Sequence, residues 1–271
     1  MKPIIKWAGG KSGSLAQLFE RFPKTFHRYI EPFVGGGAVF FSLDEKIPAL
    51  INDSNEELIE LYQVVRDFPE QLMAELDTLA LKYSEEFYYE LRTQSPIEPV
   101  LKAARTIFLN KTGFNGLYRL NSKGKFNVPF GKRAKCPALY DKENFIKVSL
   151  RLKNTEIRSE DFEAIIDQAK EGDFVYCDPP YEPLSVTSSF NAYTASGFSQ
   201  QEQERLQAVC QKAIQRGVQV VVSNSVAPFI LNLYSKWDLQ KVSAKRAINS
   251  KGDRRGQVEE IIAFGKIETL S

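Results

Sequence analysis

Histidine is nearly missing from this 271-residue sequence, with His27 its sole representative. Only three cysteines occur, Cys136, Cys177 and Cys210, and no two of them form a C-x-x-C pair. This scarcity argues against a zinc site, a disulfide framework and a Cys–His or Ser–His catalytic pair, so no bound metal is expected. There is no run of about 18 apolar residues, which excludes a membrane-spanning helix. The opening MKPIIKWAGGKSGS lacks the apolar core of a secretory signal, so a cytoplasmic protein is the expectation.

What is present is a chain with 43% hydrophobic residues, enough for one large domain or a domain carrying an insertion. The net charge of +2 hides an uneven distribution, because residues 101–158 hold fourteen Lys and Arg against three Asp and Glu. Phe108, Phe114, Tyr118, Phe126 and Phe130 are interleaved with that basic tract. A charge run is often no more than a solvated face. Basic residues mixed with aromatics, however, suit a polyanion whose bases can be touched as well as its phosphates.

Residues 28–55 read as a short apolar strand, a glycine turn (Gly35, Gly36, Gly37), an apolar helix, and a second strand ALIND ending in acid. Residues 172–224 repeat the logic. DFVYC is a strand, a polar loop follows, and a helix then opens on the capping box Ser199–Glu202. Leu206, Val209, Cys210, Ala213 and Ile214 line one face of that helix, Gly217 ends it, and VQVVVSNS is a buried strand. Strands alternating with helices at both ends of the chain predict a parallel α/β sheet. The middle, about 57–147, is helical and basic, with an Asn121–Gly124 turn that suggests a hairpin within GFNGLYRLNSKGKFNVPFG. The expected organisation is therefore a domain of residues 1–56 plus 148–271, with 57–147 inserted.

GGKS at 9–12 is not a phosphate loop, because Ile5 stands where that motif needs glycine. Nor is Gly35–Gly37 a dinucleotide fingerprint, since Phe40 fills the third glycine position. Glycines after a strand still permit close backbone approach, and Asp53 ends the next strand, where a carboxylate can hold ribose hydroxyls. An adenosine ligand without phosphates fits this pattern, and S-adenosylmethionine is the obvious one.

The segment Asp178-Pro179-Pro180-Tyr181 stops a strand at the sheet edge where ligands bind in such folds. A carboxylate and a rigid main-chain carbonyl could together accept both hydrogens of an aromatic amine and make it a better nucleophile. Tyr181 adds a flat face for a base that has left its duplex. A plain turn is the alternative reading.

KWAGGK (6–11), EPFVGGGAVFF (31–41), IND (51–53), SEDF (159–162) and DPPY (178–181), with SNS (223–225) after them, stand in an order that resembles the Dam-type bacterial DNA adenine-N6 methyltransferases over nearly the whole chain. The resemblance implies a Rossmann-like S-adenosylmethionine-dependent methyltransferase domain. Into it is inserted a mostly helical DNA-recognition domain containing a β-hairpin. It further implies that Trp7, Lys11, Gly35, Gly36, Gly37, Asp53, Asp161, Phe162 and Asp178 contact the cofactor. Asp178, Pro179, Pro180 and Tyr181 form the catalytic turn. Lys6, Asn115, Leu117, Arg119, Pro129 and Arg133 face DNA, with GATC the implied target. Arg119 suits a guanine edge, and Leu117 and Pro129 suit a thymine methyl. Arg133 stands where relatives can carry an aromatic wedge.

Double-stranded DNA is the implied partner, with no obligate protein partner. The resemblance fits either half of a restriction system or an enzyme serving replication and mismatch repair. Two rivals stand beside this reading. Methylation of protein glutamine or RNA is disfavoured by Asp178, where such families carry Asn, and by the long basic insert. A catalytically dead DNA-binding module is disfavoured by the intact DPPY and glycine turn.

Overall fold

The computed structural model describes residues 1–121, 123–183, 198–245 and 257–266. Residues 184–197 of the polar loop after DFVYC, and the basic residues Lys251, Arg254 and Arg255, lie outside the described residues. Two compact units make up the chain. One consists of Met1–Gly10, Gly35–Glu45 and Asn55–Ser159, and the other of Lys11–Val34, Lys46–Ser54 and Glu160–Ser271.

In chain order the elements begin with α1 (Leu15–Phe19), β1 (Tyr29–Glu31), β2 (Ala49–Asn52), α2 (Glu56–Asp67), α3 (Pro69–Leu81), α4 (Glu85–Thr93), α5 (Pro99–Thr112), α6 (Lys142–Lys153) and β3 (Thr155–Arg158). They continue with α7 (Phe162–Asp167), β4 (Phe174–Cys177), α8 (Gln200–Gln215), β5 (Gln219–Ser225), α9 (Pro228–Leu233), β6 (Asp238–Lys245) and β7 (Gln257–Phe264).

The first unit is helical because its sequence is capped and punctuated for helices. Asn55, Ser84 and Asp141 accept from backbone N–H groups at the starts of α2, α4 and α6. Pro69 and Pro99 occupy the first positions of α3 and α5, where a missing N–H costs nothing. Pro69 also ends α2, since the residue before a proline is pushed out of helical geometry. α2 buries Leu58, Ile59, Leu61, Tyr62, Val64 and Val65 among α3, α5 and α6. After α5 the chain forms the expected hairpin turn, in which Leu120 pairs antiparallel with Phe126, and Asn121 and Lys125 share a 2.8 Å backbone bond.

One expectation fails here. The sequence suggests an apolar helix after the glycine turn, but only a 3₁₀ turn forms at Phe40–Ser42. Phe40 and Phe41 are both fully buried in that short turn. Extended Leu43 then ends the turn before a second helical turn can form.

In the second unit, six strands run in the order β2-β1-β4-β5-β7-β6. β2, β1, β4 and β5 are mutually parallel as expected, while β7 is antiparallel to both β5 and β6. The sheet alternates with period two. Ile30, Leu50, Val175, Cys177, Val220 and Val222 pack on one face against Ile165 and Ile166 of α7 and Leu206, Cys210 and Ala213 of α8. Each such branched side chain contributes about 1.5–3 kcal/mol on burial. The opposite face presents Phe174 and Tyr176 to Phe22, with ring centroids 4.6 and 5.4 Å away.

Candidate active site

β4 is buried throughout, and its ladder cannot continue through Pro179 and Pro180, which have no N–H to donate. Asp178 is therefore left at the C-terminal edge of the parallel strands. Its Oδ1 lies 3.0 Å from Nζ of Lys11, a lysine only 7% exposed that sits at the head of a 3₁₀ turn, Lys11–Gly13. The same ammonium donates to the Tyr181 hydroxyl at 2.5 Å and to Glu260 Oε2 at 3.3 Å. Tyr181 in turn donates to Glu260 Oε2 at 3.0 Å. Although the ammonium is close, no well-directed hydrogen bond from the described residues reaches Asp178 Oδ1.

Burial pulls the Lys11 ammonium toward neutrality, but Asp178 and Glu260 outweigh it and hold its pKa above the usual lysine value. Burial raises the pKa of Asp178, Lys11 draws it back and Glu260 adds to the rise, leaving it above the ordinary carboxylate range. Burial, reinforced by the nearby carboxylates, pushes the Tyr181 hydroxyl well up. Tyr181 therefore stays neutral, and its hydroxyl links Lys11 to Glu260. Nearby on the same strands, Tyr29 donates to buried Glu31 at 2.8 Å, and Tyr176 meets Ser223 at 2.9 Å.

The turn itself is clamped. Gln203, fully buried on α8, donates from Nε2 to the Pro180 carbonyl at 2.9 Å and accepts from Asn224 Nδ2 at 3.0 Å. The next residue, Glu182, is held by Ser225, whose hydroxyl donates to its carbonyl at 2.7 Å.

The ends of β1 and β2 are fastened by buried Asn52. Its Nδ2 donates to the carbonyls of Pro32 and Glu160, each at 3.0 Å, and its Oδ1 accepts from Glu160 N at 2.8 Å. Asp53, half-buried, follows at the same edge. Asp161 caps α7 through Glu163 N and makes a two-armed pair with Arg205 at 2.7 and 2.8 Å. The Arg205 bonds hold the Asp161 carboxyl below its usual range. Phe162 is buried beneath the Arg205 guanidinium, 4.0 Å from its ring centroid.

In the first unit the glycine turn is built against Trp7. A Cβ on Gly35 (φ +48°) would stand 2.8 Å from the indole, and one on Gly37 (φ +70°) would stand 2.6 Å from the Phe41 ring. Only glycine fits both the conformation and the space. The Trp7 ring stacks on Tyr118 at 4.7 Å, and the Tyr118 hydroxyl donates to Glu57 at the start of α2 at 2.8 Å.

Buried Asn110 grips the backbone of Lys6 at both N and O, each at 2.9 Å, and also the Gly116 carbonyl at 3.0 Å. Lys6 is thereby tied to the segment carrying Asn115, which is exposed with φ 56°, and half-buried Leu117. Pro129 and Arg133 are exposed on the returning strand and beyond. The Pro129 carbonyl accepts from Phe114 N at 2.9 Å, and that of Arg133 from the Tyr83 hydroxyl at 2.9 Å. Arg119 lies across the hairpin from Asn127 and donates to it from Nε at 2.6 Å.

Sequence reasoning missed Glu260, Gln203 and Asn110, and gave no role to Asn224, although it stands within SNS (223–225). Gln203 left a signal, because it falls on the stripe that continues as Leu206, Cys210 and Ala213, where a polar residue needs a buried partner. Glu260 left a weaker one as an acid within the apolar run of β7.

Comparison with known proteins closes the question of kinship. Residues 7–248 match the family described as D12 class N6 adenine-specific DNA methyltransferase. A type II methyltransferase of Lactococcus lactis subsp. cremoris is 42% identical over 270 residues, covering 97% of this chain and 94% of the relative. One from Methanocaldococcus jannaschii is 43% identical over 276 residues, covering 94% and 95%. The DNA adenine methylase of Escherichia coli is 32% identical over 274 residues, covering 100% and 97%. A family match across most of the chain, joined to a DPPY turn clamped at the edge of an α/β sheet, identifies this chain as a member of the D12 class N6 adenine-specific DNA methyltransferases.

Proposed function

We propose that the protein methylates adenine N6 within GATC in double-stranded DNA, acting on a base extruded from the helix into the DPPY turn. The observation that carries this reading is Asp178, a carboxylate held against Lys11 at 3.0 Å on a turn stiffened by two prolines, whose buried Oδ1 meets no well-directed donor among the described residues. An amine whose lone pair is delocalised into an aromatic ring needs acceptors for both its hydrogens. Asp178 Oδ1 and the Pro179 carbonyl supply them, and Gln203 keeps the neighbouring carbonyl occupied. Lys11 holds the carboxylate ionised and in place. Positioning, more than proton transfer, lowers the barrier on this account.

The family implies S-adenosylmethionine as methyl donor. Asp178 and Glu260 suit a cationic donor, since their two carboxylates share the single ammonium of Lys11. Trp7, Lys11, Gly35, Gly36, Gly37, Asp53, Asp161, Phe162 and Asp178 are the proposed donor contacts. When bound, the donor supplies an electrophilic methyl group on sulfur.

Residues 1–56 with 148–271 are the proposed catalytic part and 57–147 the recognition part, working in the cytoplasm on chromosomal DNA. Lys6, Asn115, Leu117, Arg119, Pro129 and Arg133 are its proposed DNA contacts. No helix among the described residues is long and apolar enough to cross a membrane.

Tritiated S-adenosylmethionine tests the reading. Label should enter a duplex containing GATC and not one in which that adenine is replaced. Label in neither duplex, nor in any other DNA, overturns it.

A further inference from the structure

We propose that Asn127 determines how sharply the hairpin reads sequence, by fixing the plane of the Arg119 guanidinium. The proposal rests on the reading of Arg119 as a guanine contact. Residues 119 and 127 face each other across the turn, where Asn127 N donates to the Arg119 carbonyl at 3.0 Å next to the Leu120–Phe126 pair. Arg119 Nε donates to Asn127 Oδ1 at 2.6 Å, and Nη2 donates to the Asn127 carbonyl at 3.1 Å. These two donors form the side-on edge of the guanidinium, and both end on one residue.

Two bonds into a single partner, one to its side chain and one to its backbone, fix the torsion of the planar group as well as its position. A guanine presenting O6 and N7 must then be met by the end-on edge, Nη1 and Nη2, in a plane set by Asn127. Discrimination by a bidentate contact depends on that plane, because both bonds must be straight together. The chemistry of the partner matters as well. An asparagine is uncharged, so its bonds orient the guanidinium without themselves cancelling the arginine charge. An aspartate would orient the group and neutralise it.

The test compares kcat/KM on a GATC duplex with kcat/KM on duplexes altered one base pair at a time. Arg119→Ala should abolish discrimination at one guanine, a loss of about 5- to 150-fold. Asn127→Ala should lower discrimination at that same base pair by at least about fivefold while leaving the other positions unchanged. The Arg119→Ala/Asn127→Ala pair should behave like Arg119→Ala alone. Asn127→Asp should keep much of the discrimination but raise KM for DNA at every site. Melting temperatures accompany each variant, so that a misfolded protein is recognised, and in that event the comparison rests on Asn127→Asp. A uniform fall across all duplexes in Asn127→Ala, or effects that multiply in the double variant, would show that Asn127 merely staples the hairpin. A uniform fall in Arg119→Ala overturns the reading of Arg119 itself, and the proposal with it.

Discussion

The Tyr118 ring lies on the Trp7 indole with centroids 4.7 Å apart and planes 26° from parallel. Trp7 in turn fills the space beside Gly35 and Gly36. A residue of the hairpin segment thus supports the wall of the glycine turn. Such a stack is worth about 0.5–1.5 kcal/mol beyond its buried area. Tyr118→Ala should therefore weaken S-adenosylmethionine binding by about 2- to 12-fold in calorimetry without DNA. Tyr118→Phe, which keeps the ring and loses only the bond to Glu57, should bind nearly as the wild type does. Equal losses in both variants would transfer the effect to the hydroxyl.

Lys11 controls the charge of Asp178. Because the Asp178 pKa is raised by burial and drawn back by Lys11, the acid limb of kcat/KM should lie above the ordinary carboxylate range. Lys11→Met should move that limb to higher pH and lower the single-turnover rate at neutral pH, with part of the rate recovered in alkali. An acid limb that does not move would take this role from Lys11.

The same pair ties stability to alkali. The folded-state pKa of Lys11 lies above its unfolded value of about 10.5. Its contribution is then complete below the unfolded value and is lost as pH rises through the folded one. Urea unfolding followed from pH 8 to 12 should show a decline in alkali that is smaller in Lys11→Met, after allowance for the lower starting stability of that variant.

Gly37→Ala imposes a side chain at φ +70° and 2.6 Å from the Phe41 ring. Strain of this kind costs about 1–3 kcal/mol, so Tm should fall by several degrees. An unchanged Tm would mean that the turn relaxes freely.

Gln203→Met preserves length but leaves the Pro180 carbonyl and the Asn224 amide without their partner, at a cost of about 1–3 kcal/mol. The methyl-transfer step should slow more than KM for DNA rises. The reverse pattern would assign Gln203 to DNA binding.

Much of this was legible because local chemistry and global fold agree. Ser199 caps α8, Gly217 ends it with φ +87°, and Asn121 with Gly124 turns the hairpin. DPPY stops its strand at the edge where it was expected. The missing helix after Gly37 was not legible, because an apolar run after glycines reads equally well as helix or as tight turn, and the extended backbone at Leu43 is what ends it. Glu260 was hidden for a different reason. Nothing local reveals that β7 runs against its neighbours, and only that reversal brings a residue near the start of β7 to the edge where β4 ends.

That reversal has a further consequence. Ligand edges of parallel sheets are ordinarily furnished by loops, yet Glu260 sits inside a ladder, opposite Ser225 on one side and Val242 on the other. Its backbone amide should therefore exchange with deuterium as slowly as the strands of the hydrophobic core, although its carboxylate meets Lys11 and Tyr181. The floor of this site is as permanent as the fold, and whatever moves during turnover must move above it.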